Sequence, residues 1–141
     1  MSPLDLKLAP PRSPRLSCGG LDFLPRSIDK VRASLPGGDL GEYKLWGTTE
    51  LMLETLGVSL ETFTAAVATA ETDADVLSIL KQHAAASLFE KWNALLAQRR
   101  PRGGNRREAL EVYPWLSERP DLIFIVDILE EDDRQQFQRQ G

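Results

Sequence analysis

Four prolines fall within the first fourteen residues, at Pro3, Pro10, Pro11 and Pro14, and they constrain the fold more than any other feature of the chain. Each removes a backbone donor, fixes its own φ at about −65° and holds the preceding residue extended. Residues 1–22 are therefore expected to form an extended arm laid on the rest of the protein. The next proline works the other way. Pro25 suits a first helical turn, and Leu24, Ile28, Val31 and Leu35 recur at helical spacing as one apolar stripe, with Arg26, Asp29, Lys30 and Ala33 opposite. Pro36-Gly37-Gly38 ends that helix, and GEYKLW reads as a short extended piece or turn.

The same stretch is rich in cations. Arg26 and Lys30 lie one turn apart on the polar face, and a folded-back arm would bring Arg12, Arg15 and Arg32 beside them. Guanidinium forks bind carboxylate or phosphate through paired hydrogen bonds, and a helix N-terminus adds unpaired donors. This predicts an oxyanion site for a small anionic ligand, with Glu42 and Tyr43 orienting it. An enzyme reading uses the same pocket, with Asp29 or Glu42 as the base. A structural reading sits beside both, in which Asp22, Asp29, Asp39 and Glu42 pair with these cations and lock arm to body.

The order PPRSPR, then Gly19-Gly20, then LPRSIDKVRA, then GEY resembles the bacterial DUF5069 family over Pro10 to Tyr43, and more weakly to the end through Trp92, Asn93 and DILEEDDR. The resemblance implies an uncharacterised, mainly helical bacterial protein and no particular chemistry. Where that family's pattern reads GEYxxxCPLD, this chain reads GEYKLWGT over Gly41 to Thr48 and has neither the Cys nor the Asp.

Further along, Thr48 or Thr49 is expected to cap TELMLETL, Gly57 to end it in the left-handed region, and Ser59 to cap LETFTAAVATA. Thr72 with Asp75 reads as a capping box, Ser87 with Glu90 as a second, with a break near Ala85 between them. Asn105 with Glu108 opens another helix, which Pro114 ends. Residues 121–131 contain the β-branched run Ile123 to Val126 and fit helix or buried strand, helix being preferred for lack of partner strands. The expectation is an all-α compact bundle of about five or six helices in a single domain over residues 1–141. A chain of that length can bury roughly two-thirds of its unfolded surface.

Charge and cysteine content narrow the function classes. The net charge is −4. Residues 1–44 carry seven Lys/Arg against five Asp/Glu, residues 45–98 two against seven, residues 99–107 five arginines and no acid, and residues 108–141 three against nine. A chain this acidic argues against a dedicated nucleic-acid binder. The arginine loop and the acidic C-terminus remain as possible protein-docking surfaces. Cys18 is the single cysteine, so an intrachain disulfide is excluded and a reducing cytoplasm is expected. No apolar run reaches the length of a membrane span. His83 is the one histidine and Cys18 stands alone beside two glycines, so neither supplies a metal cluster or a nucleophile system, and no nucleotide motif or cofactor is called for.

Overall fold

The computed structural model describes residues 1–138 and is mostly helical. Two short strands, β1 (Ser17–Cys18) and β2 (Leu21–Asp22), precede seven α-helices: α1 (Leu24–Ser34), α2 (Thr48–Leu56), α3 (Leu60–Thr69), α4 (Asp73–His83), α5 (Ala86–Gln98), α6 (Arg106–Val112) and α7 (Ile125–Gln138). Single 3-10 turns at Pro101–Gly104 and Pro114–Glu118 flank α6. The helix count exceeds the expected five or six, because Pro114 isolates the seven-residue α6 as an element of its own.

The helix ends follow local chemistry. Ser59 accepts from the Thr62 amide, Thr72 and Asp75 form a reciprocal capping box, and Asn105 accepts from the Glu108 amide. Gly57 closes α2 at φ 73°, in the left-handed region expected of it. Two expectations fail. Gly47, not a threonine, caps α2, because its carbonyl already takes the Leu51 amide and its φ of 132° suits glycine. Ser87 lies inside α5, where the Leu88 amide bonds the Ala85 carbonyl, so the second box does not form, although the break near Ala85 does. In the 121–131 stretch the helix begins at Ile125, leaving Ile123 and Phe124 as partly exposed lead-in residues.

The chain divides into two compact units, Met1–Asn93 and Ala94 onward, with the boundary inside α5. In the first, the α1 stripe of Leu24, Ile28 and Val31 is fully buried with Phe63, Val67, Val76 and Leu80 of α3 and α4. Burying each such side chain contributes about 1.5–3 kcal/mol. The second unit has its own small core of Ala109, Leu116 and Ile128, against which Leu110, Tyr113, Trp115 and Leu122 pack. Among the described residues no single helix is long and apolar enough to cross a membrane.

Candidate functional site

The first unit gathers its polar side chains around α1. The antiparallel pair of β1 and β2 turns through Gly19 and Gly20, both at positive φ, and Leu77 lies directly beneath Gly19. Phe23 then adopts φ 76°, turns the chain into α1 and presents its ring edge-on to Trp92 at 6.5 Å. The Trp92 indole N–H donates to the Asp22 carbonyl, while Asn93 accepts from the Asp22 amide and donates to the Gly20 carbonyl. The two side chains thus clamp the strand pair from the α5 side.

The face of α1 opposite its apolar stripe carries Arg26, Asp29 and Lys30, and all three are buried, Arg26 at 1% exposure and Asp29 at 4%. The cause is the segment before it. Leu4 donates its amide to the Arg32 carbonyl, and Arg32 donates from Nε and Nη2 to the Ser2 carbonyl and hydroxyl. Arg12 reaches furthest. Its backbone amide donates to Asp29 Oδ2 at 2.8 Å, its Nε to both Asp29 oxygens, and its Nη2 to Asp29 Oδ1 at 3.0 Å. Nη1 and Nη2 then donate to the two carboxylate oxygens of Asp73, at 2.6 and 3.0 Å, and Nη2 also to the Pro25 carbonyl. One guanidinium therefore joins the segment before β1, the middle of α1 and the first residue of α4. Charge-assisted bonds of this kind are about twice as strong as neutral ones. They hold the Asp73 carboxyl below its usual range and push the Arg12 guanidinium further up.

The remaining predicted residues divide. Arg26 donates from Nη1 to the Arg12 carbonyl, and its guanidinium carbon lies 5.7 Å from the Tyr43 ring centroid. The Lys30 ammonium lies 6.0 Å from the same centroid, so two cations one turn apart face one half-buried aromatic ring. Arg15 and Glu42 are exposed, and Arg15 takes the Ser13 hydroxyl as acceptor for its backbone amide. Arg32 approaches Asp29 at 3.9 Å. Arg12, Asp29 and Arg32 thus come together, Arg26, Lys30 and Tyr43 come together, and Arg15 and Glu42 join neither group through the bonds described.

Sequence reasoning missed Asp73, whose place at the head of a capping-box helix reads only as favourable to the helix dipole. It also missed the buried hydroxyl pair of Ser27 and Thr49 at 2.8 Å. Cys18 is half-buried and burial pushes its thiol up, away from the reactive thiolate. No cluster of three or more His, Cys, Asp or Glu among the described residues is arranged to hold a metal.

A family model for a domain of unknown function, DUF5069, matches residues 8–135. The chain belongs to that family. No curated protein matches it. The matched span covers the whole Arg12, α1 and Tyr43 region and reaches into α7, so it takes in most of both units.

Proposed function

We propose that this protein is a binding module for a small anionic ligand, phosphate or carboxylate, and that Arg26, Lys30 and Tyr43 form the centre of its site. The observation that carries this reading is the convergence of two buried cations, one helical turn apart, on a single aromatic ring. Arg12, Asp29 and Arg32 support the site from behind: by drawing the Asp29 carboxylate onto itself, Arg12 keeps the nearest acid on α1 engaged away from Tyr43. Arg15 and Glu42, both exposed, supply the outer contacts. An incoming anion adds to, or exchanges with, the interactions that Arg26 and Lys30 already make.

The finer architecture belongs to the same proposal. A proline-rich arm over residues 1–22, packed on a helical body, presents the site, and the lone Cys18 fits a reducing, cytoplasmic setting. Asp29 is poorly suited to act as a base, since both of its oxygens accept from Arg12.

The test is a backbone-amide NMR titration with inorganic phosphate and with citrate. The expected result is saturable shifts over residues 26–32 and at Tyr43, weakened about tenfold in Lys30→Gln, corresponding to the loss of one charged contact, and weakened also in Tyr43→Leu, which removes the ring that both cations face. Unmoved resonances there, or unchanged affinity in Lys30→Gln, would overturn it.

A further inference from the structure

The second unit contains a cleft of about 300 Å³, at the lower end of the range for small-molecule sites. Its walls come from three pieces of chain: Arg100 and the 3-10 turn at Pro101–Gly104, Arg106 and Ala109 of α6, and Pro120 with Ile123 before α7. The two arginines are held in an unusual way. Arg106 donates from Nη1 to the Leu122 carbonyl and from Nη2 to the Leu116 and Arg119 carbonyls, at 3.4 and 3.1 Å. Those acceptors fix the guanidinium in place without neutralising it. Arg100 lies over the Phe124 ring, 5.8 Å from its centroid, which again orients a cation without cancelling its charge.

Two acids of this stretch are engaged by Arg119. Asp121 is bonded bidentately by Arg119, at 3.0 Å for both contacts, and Arg119 also approaches Glu131 at 3.7 Å. Neither Arg100 nor Arg106 forms an ion pair with a described carboxylate. The field of Arg106 reaches outward all the same, adding to the pull of Arg119 that holds the Asp121 carboxyl below its usual range.

The rest of the lining is apolar. Pro101 and Ala109 are buried at the base, while Pro120 and Ile123 are open to solvent, Ile123 at 41% exposure. A bare inorganic ion would leave these surfaces wet. A carboxylate carrying a flat or branched hydrocarbon body would satisfy both halves of the lining, pairing its charge with Arg100 and Arg106 and its body with Pro120 and Ile123.

We infer that the cleft of the second unit is a binding site for a small amphipathic carboxylate, separate from the α1 site. Arg106 supplies a preset positive charge, Arg100 closes over the carboxylate, and Ile123 and Pro120 hold the apolar body.

The experiment is a calorimetric and amide-shift titration of the full chain with naphthalene-2-carboxylate, alongside its neutral carboxamide and inorganic phosphate. Expected at residues 100–109 and 119–124 are saturable shifts whose affinity is read separately from any at residues 26–32 and Tyr43, with the carboxamide and phosphate each weaker there by at least about tenfold, the share of a charge-assisted contact and of the buried rings respectively. Arg100→Gln and Ile123→Asp, both at exposed positions, should weaken the carboxylate by a similar factor while leaving the melting temperature unchanged. Unmoved resonances at residues 100–109 and 119–124, equal affinity there for the carboxamide or for phosphate, or Arg100→Gln and Ile123→Asp proteins that fold and bind there as before would each overturn the inference.

Discussion

Arg12 in the first unit and Arg106 in the second are both tied by several hydrogen bonds, yet they do opposite things with their charge. Arg12 meets two carboxylates, Asp29 at 6% side-chain exposure and Asp73 at 26%, so its charge is cancelled within the fold. Arg106 meets three carbonyls, so its position is fixed while its charge remains. The difference teaches that the count of hydrogen bonds on an arginine says how rigid it is, whereas the nature of the acceptors says whether it can still attract an anion. Arg12 is a structural tie; Arg106 is a preset electrostatic handle.

The largest effect that would break this comparison is at the tie. Arg12→Ala takes the closest cation from the buried Asp29 carboxylate, leaving it Arg32 at 3.9 Å and the residue-12 amide, and denaturant unfolding is expected to register a loss of about 2–4 kcal/mol. A loss below about 1 kcal/mol would mean the carboxylates are not buried on Arg12 at all. Arg106→Leu removes three donors from carbonyls that water can partly reach, and the expected cost is smaller, about 1–3 kcal/mol, with amide exchange accelerated over residues 116–125.

Next in size is the strand turn that carries the chain into α1. At Gly19 a Cβ would come 2.1 Å from Leu77 Cδ2 with φ at +56°, so Gly19→Ala is expected to lower stability by about 1–3 kcal/mol, read as a drop in melting temperature. Gly20, with nothing within 4 Å of such a Cβ, pays only for its positive φ, and Gly20→Ala should cost clearly less than Gly19→Ala.

How much of this was readable beforehand follows the range of the interactions. The α1 stripe, the Ser59, Thr72 and Asn105 caps, the Gly57 stop and the break near Ala85 all rest on residues within a few positions of one another, and periodicity and capping rules reach that far. The Arg12 to Asp73 pair spans 61 residues and the Trp92 to Asp22 bond 70, and nothing local marks them. The depth to which Arg26 and Lys30 are buried was hidden for the same reason, since the prolines mark an arm but not which α1 side chains it covers. The arginine-rich loop was visible as composition, but a loop of five arginines looks the same whether its acceptors are carbonyls, as at Arg106, or carboxylates, as at Arg12. Ser87 misled because Ser-x-x-Glu resembles a cap wherever it occurs, even inside a helix.

The smallest predicted effect lies in acid. Asp73 has its carboxyl depressed by Arg12, so its stabilisation is fully present above the unfolded carboxylate range, about pH 4, and is lost as pH falls through the lower folded value. Asp73→Asn should therefore flatten the acid limb of stability by about 1 kcal/mol between roughly pH 5 and pH 2, a modest figure because the Asp73 side chain is partly solvated. A steeper acid limb in the variant would reverse the assignment.

The most direct test of the contrast follows the arginine Nε–H resonances while naphthalene-2-carboxylate is added to the intact protein. The account predicts that the Arg100 and Arg106 signals move together and saturate, while the Arg12 signal, held between Asp29 and Asp73, stays where it is. Movement of Arg12 with Arg100 and Arg106 unchanged would contradict it.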